Sequence, residues 1–258
     1  MNAPSSKSSR TTPATHQPST EVTEVTEVTD ALRHRNTAAR AVNEALARYE
    51  ISVLDHIAAR VRNAFPTATH LTFAHYARAR EADLQSLSST EPDGTEVRIP
   101  DEVAQEALDL GEITDDLTDA LTGLTSAAWS AVRPEPDADG LWVLDLPPAD
   151  RASKLAELVR THHPDAALLT VDFSADPCRV QAITHAETAD AVGSLGKPLA
   201  VDDQHPLWPP ETERQISALA TQMQALPHLR AQHLFRTGGP DDHTALLLLP
   251  MDDTKGLS

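Results

Sequence analysis

Apolar residues recur every three or four positions at Val42, Leu46, Tyr49, Val53, Ile57 and Val61. That spacing predicts an amphipathic helix of about 27 residues. Asn36 or Thr37 can cap its start, and Pro66 ends it. The pattern then changes to short apolar-rich runs over residues 70–76 and 83–88, separated by a polar break, which reads as two antiparallel strands. A second helix follows over residues 101–124. On it Val103, Ala107, Leu110, Ile113, Leu117, Leu121 and Leu124 fall within an arc of about 120°. Gly111 is a candidate break in this helix, with Thr114 capping the second part. A hairpin pairing residues 127–133 with 141–146 closes the series, its turn holding Pro136, Asp137 and Gly140.

The same series then repeats. Asp150 can cap a helix that runs to residue 161, with Pro164 as its stop. Strands are expected over residues 168–173 and 179–185, a helix over 211–226, and a hairpin pairing 230–236 with 244–249. The residues agree as well as the pattern. Residues 55–73 align without a gap on residues 153–171, with seven of 19 positions identical, among them Arg62/Arg160, Pro66/Pro164, Leu71/Leu169 and Thr72/Thr170. Gln85 matches Gln181, and Arg133, Asp139, Leu144, Leu146 and Pro147 match Arg236, Asp242, Leu247, Leu249 and Pro250. The expectation is an α+β protein of two tandem α-β-β-α-β-β copies, residues 36–147 and 148–250. In each copy an antiparallel sheet carries helices on one face. The two sheets are expected to join edge to edge about a pseudo-twofold axis, covering edges that would otherwise be exposed.

Composition adds the ends of the chain. Residues 1–35 are rich in Ser, Thr and Pro and contain no aromatic residue. Such a segment buries too little apolar surface to offset chain entropy, so disorder is expected there and over residues 251–258. Within it Glu21 to Thr29 is Glu-Val-Thr three times over. This is either slippage in a tolerant tail or, because Val and Thr favour extended chain, a strand-forming docking segment. The chain has four lysines against 17 arginines, a usage that suggests a bacterial source of high GC content.

The formal charge is −18 over 258 residues. Phosphate binding needs clustered cations, so a nucleic-acid partner is not expected. The longest apolar run, Ala245 to Leu249, is too short to span a bilayer. No apolar stretch follows the cations of the N-terminus, which points to a cytoplasmic protein, and Cys178 alone cannot form a disulfide framework.

Catalytic motifs are weak. Residues 193–198, Gly-Ser-Leu-Gly-Lys-Pro, lack the spacing and the Ser/Thr of a phosphate loop. His70 and His75 leave opposite faces of one strand. His162 and His163 sit at a helix end, and neither they nor Cys178 form a metal-binding spacing. No cofactor and no metal are therefore expected. The one unusual feature is acidic. Between Glu81 and Asp119 there are 13 carboxylates and one cation, Arg98. Asp101, Glu102, Asp109, Glu112, Asp115, Asp116 and Asp119 lie away from the apolar arc of the second helix. They make a solvated face or a docking surface for a basic protein. The first expectation is a non-enzymatic interaction module, an adaptor, chaperone-like factor or immunity-type binder that uses this face or the groove between the copies. The alternative is an enzyme or small-ligand protein with its site at the junction of the copies, where His70, His75, His162, His163 or Asp172 would take part.

Overall fold

The computed structural model describes residues 20–91, 93, 95–122, 127–136, 138–175, 177–186, 198–200, 206–236 and 243–250. The chain divides into two compact units, Met1–Asn43 and Glu44–Ser258. Helix α1, Thr20–Ala64, runs through the end of the first and the start of the second. In the first unit, Leu32 and Val42 are exposed. The second unit holds everything else.

Within that unit, α1 turns Ile51, Leu54, Ile57 and Val61 into a core. Their spacing of three and four is the apolar stripe of an amphipathic helix. Strands β1 (Ala68–Tyr76), β2 (Glu81–Thr90), β3 (Glu96–Ile99), β4 (Val132–Pro134) and β5 (Leu141–Asp145) form an antiparallel sheet in the order β3-β2-β1-β5-β4. Leu71 and Phe73 of β1 and Leu144 of β5 meet the helical residues, with Ile113 and Leu117 of α3 (Leu110–Ala120). The other face of the sheet is not bare. Thr72 and Val143, partners across β1 and β5, are also buried.

The second sheet contains β6 (Ala166–Asp172), β7 (Arg179–His185), β8 (Leu199–Ala200), β9 (Leu234–Arg236) and β10 (Thr244–Leu248), in the order β8-β7-β6-β10-β9. That order is the first sheet's with each strand replaced by its counterpart. The helices α4 (Arg151–His162) and α5 (Pro210–Ala225) cover it, burying Leu155, Val159, Ile216 and Met223.

The correspondence extends to irregularities. In β1–β2 the register slips between Ala68 and His70, so Thr69 is an extra residue, and slips again opposite Thr72/Phe73, where the extra residue is Gln85. In β6–β7 the slips fall at Ala166/Leu168 and Thr170/Val171, making Ala167 and Gln181 the extra residues. The Thr69 carbonyl accepts from Leu146 N–H, and the Ala167 carbonyl from Leu249 N–H. Thr118 Oγ1 accepts from Ala82 N–H in β2, and Thr221 Oγ1 from Cys178 N–H just before β7, tying a helix to the sheet in each half.

The halves also interlock. Leu226 is buried in the first core although it follows α5, and Leu229 of α6 (Pro227–His233) packs against both cores. Arg151, 5% exposed, donates from Nε to Gln222 Oε1 at 2.8 Å and from Nη2 to Asp55 Oδ1 at 2.5 Å.

Several expectations need correction. Helix α1 begins at Thr20, not near Asn36, so the Glu-Val-Thr repeat lies in a helix rather than a strand. Residues 1–19 and 251–258 lie outside the described residues. The helix expected over 101–124 is two helices, α2 (Asp101–Ala107) and α3, and the break is at Leu108–Asp109. Asp109, not Thr114, caps the second, because its carboxylate accepts from the N–H groups of Gly111 and Glu112. The expected hairpin strands 127–133 and 230–236 are mostly helical, a 3₁₀ turn at Ala127–Ala131 and α6, each followed by a three-residue strand. The edge strands β3 and β8 were not expected. Among the described residues the two sheets are separate, not joined edge to edge. No described helix is long and apolar enough to cross a membrane.

Candidate functional site at the junction of the halves

The acidic residues are largely occupied within the fold. Arg98 Nη2 donates to Asp101 at 2.9 Å. Arg60 pairs with Glu112 at 2.7 Å and lies 4.0 Å from Asp116, which also faces His56 at 4.0 Å. Tyr49 Oη donates to Asp119 at 3.2 Å, and the charge of Asp119 holds the Tyr49 phenol above its usual range. Asp109 is the cap of α3. Of the seven residues only Glu102 and Asp115 are exposed with neither an ion pair nor a side-chain hydrogen bond among the described residues. The seven form a strip along α2 and α3, most of it bound to α1 or to itself.

The histidines do not converge. His75 points to the helical side of the first sheet, its ring 4.9 Å from that of Trp129, and burial holds its pKa below the usual histidine value. His162 is exposed at the end of α4. His163 lies tilted beside His185 and edge-on to Trp208 and bonds the carbonyl of Leu207. Asp172 accepts from Ser174 N–H, which draws its pKa down. Cys178 is buried and donates to the carbonyl of Ser217. No group of three metal-ligating side chains occurs among the described residues. Residues 193–197 of the glycine-containing loop lie outside them.

Of these candidates His70 lines a large cleft. Cross-strand partners share a face of a sheet. His70 is opposite Asp145, and Arg133 is opposite Val143, so all project on the side away from α1. The second half supplies the facing wall through α4 and α5. Between them lies a cleft of about 770 Å³, within the usual size of small-molecule sites, about 300–1,000 Å³.

The cleft is mixed in character. Arg62, Thr69, His70, Arg133 and Asp145 come from one half, and Lys154, Glu211 and Arg214 from the other. Leu158, Ala218 and Leu219 add apolar surface. Asp145 is shared by Arg133 Nε at 3.6 Å and Arg214 Nη2 at 2.5 Å. Burial alone would lower the Arg214 pKa, but its bonds to Glu211 and Asp145 outweigh that and raise it. Arg214 Nη1 is buried without a hydrogen-bond partner among the described residues. Arg62 donates to the carbonyls of Pro147 (2.6 Å) and Leu146 (3.0 Å). Burial and then the charge of Arg151 lower its pKa, with Asp55 opposing. Thr69 Oγ1 lies 3.1 Å from His70 Nδ1 and 3.0 Å from Thr90 Oγ1, and His70 Nε2 is 3.7 Å from Glu96.

Adjacent residues on a regular strand point to opposite faces. The bulge at Thr69 interrupts that alternation, and Thr69 and His70 both line the cleft. The histidine count drew attention to His70 in the sequence. The arginines and threonines around it carry no local signal, since they come from five separate segments. Compared with known proteins, the chain matches no protein family, no curated protein and no solved structure.

Proposed function

We propose that the chain is a tandem duplication of one α+β unit whose cleft at the junction binds a small molecule without transforming it. The supporting observation is the cleft itself. Both halves contribute charged side chains to one cavity of ligand size. Duplication is supported by the two identical strand orders and by bulges at matching residues. We place the protein in the cytoplasm of a bacterium, on composition.

A ligand-observed NMR screen of mixed neutral, cationic and anionic fragments tests the reading. Hits should disappear with Gln215→Trp, which fills the cleft from α5. A screen without hits, or hits indifferent to that substitution, would sink it.

A second reading, docking of a basic protein on the acidic strip, rests on Glu102 and Asp115, which are exposed and without ion pairs among the described residues. Capture of a basic partner at low salt, lost with Asp115→Lys and Glu102→Lys, is the result it requires. Failure to lose capture would remove it.

A further inference from the structure

We infer that the cleft takes a monocarboxylate with an apolar body, its carboxylate seated on Arg62 beside the Thr69 and Thr90 hydroxyls. This rests on the cleft reading above and names its ligand class.

The charge balance comes first. Four cations line the cleft, Arg62, Arg133, Lys154 and Arg214, against three carboxylates, Glu96, Asp145 and Glu211. With His70 neutral the lining side chains sum to +1, and to zero once Glu157, the partner of Lys154, is counted, in a chain whose net charge is −18. Three of the cations have carboxylate partners. Arg133 and Arg214 hold Asp145, and Lys154 holds Glu157 at 2.9 Å. Arg62 is different. The bonds described for it go to two backbone carbonyls, which orient the guanidinium without neutralising it. Two of its five N–H groups are used there, leaving donors for a ligand. Leu146, whose carbonyl receives Arg62, gives its own N–H to the Thr69 carbonyl, so Arg62 and the bulge share one stretch of backbone.

The fold does not require these side chains. The same bulge occurs in the second half with Ala167 and Leu168 in place of Thr69 and His70. An extra residue is a demand of the architecture; a hydroxyl and an imidazole there are not. The Thr69 hydroxyl already bonds His70 Nδ1 and the Thr90 hydroxyl, and a ligand carboxylate would accept from both Arg62 and the threonine hydroxyl at the end of that chain.

The three carboxylates set the ligand's charge. A phosphate dianion would bring two negative charges beside Asp145 and Glu211, whereas a single carboxylate brings one, matched by the single charge of Arg62. Leu158, Ala218 and Leu219 offer the apolar wall for the rest of the molecule.

The test uses the full chain and three probes followed by backbone amide shifts: octanoate, octanamide and inorganic phosphate. Octanoate should bind saturably and shift the amides of Thr69, Thr90 and Ala218. Octanamide should bind about tenfold more weakly or worse, the scale of losing one charged contact. Phosphate should leave those amides unmoved. An acetylated tripeptide with a free C-terminus is the second carboxylate source. Tighter binding by it than by octanoate would name a peptide end, the reverse a free acid, and either supports the proposal. Arg62→Gln should weaken octanoate about tenfold. Because Arg62 also braces backbone, the paired change Thr69→Ala with His70→Leu is the decisive variant, since it installs residues the second half already carries at its bulge. Equal binding of acid and amide overturns the assignment. So does unchanged octanoate affinity in the folded Thr69→Ala, His70→Leu protein. Neutral or cationic fragments seated in the cleft with no carboxylate binding would overturn it while leaving the cleft reading intact.

Discussion

The contact between Arg151, Asp55 and Gln222 joins α4 to α1 and α5, and its exposure is uneven. Arg151 is 5% exposed, while the side chain of Asp55 is 42% exposed. Removing Asp55 therefore strands a cation that water cannot reach. Removing Arg151 strands a carboxylate that water can reach, plus the buried amide of Gln222. Breaking a buried ion pair from one side costs about 3–5 kcal/mol. The partial hydration of Asp55 puts Asp55→Ala at the low end, about 3 kcal/mol. Arg151→Met alone leaves the Gln222 oxygen unpaired at about 1–3 kcal/mol. Replacing both, Arg151→Met with Gln222→Met, removes every buried polar group of the contact except the half-exposed carboxylate, and should fall within about 1 kcal/mol of the parent. Urea unfolding followed by circular dichroism measures all three. The order expected is Asp55→Ala worst, Arg151→Met intermediate, and the double change mildest. A double variant as unstable as Asp55→Ala would refute the reasoning, because it would mean that the contact stabilises as a pair rather than costing stability only when broken.

Three further outcomes follow from single residues. Asp109→Ala removes the cap of α3 and should cost about 1 kcal/mol in the same assay, whereas Asp115→Ala should cost less than about 0.5 kcal/mol, as a surface change away from such features; equal effects would contradict the structural role given to Asp109. Leu226→Ala should cost about 2–4 kcal/mol, because this second-half residue is buried in the first core; a cost near zero would mean that the halves do not share that core. Burial holds the folded pKa of His75 below the ordinary histidine value of 6.5. The unfolded chain therefore takes up the proton first, and stability falls as pH drops through 6.5 toward the lower folded value. His75→Phe should flatten that part of the stability profile, read as urea midpoints between about pH 7.5 and 5; an unchanged slope would assign it elsewhere.

What was legible in the sequence was whatever depends on residues near one another. The stripe Ile51, Leu54, Ile57 and Val61 follows helical spacing, and Asp150 precedes its helix as a cap must, accepting from Ser153 N–H. The start of α1 lies further back than local propensity predicts, since Val and Thr lower helix propensity, yet a helix nucleated further along extends backward at little cost per residue. Strand β3 spans four residues and β8 two, too short for alternation to show. They exist through their partners, Leu87 with Ile99 and Ile183 with Leu199. The match of Gln85 with Gln181 was visible, but its meaning was not, since only the strand pairing shows that both are extra residues in a bulge. The same pairing separates architecture from chemistry at the other bulge. Both halves place an extra residue there, so position is what the fold constrains. One half fills it with Thr69 followed by His70 and the other with Ala167 followed by Leu168, and it is the polar pair that lines the cleft. A comparison between two stretches of one chain thus sorts the residues the sheet needs at that bulge from those it does not.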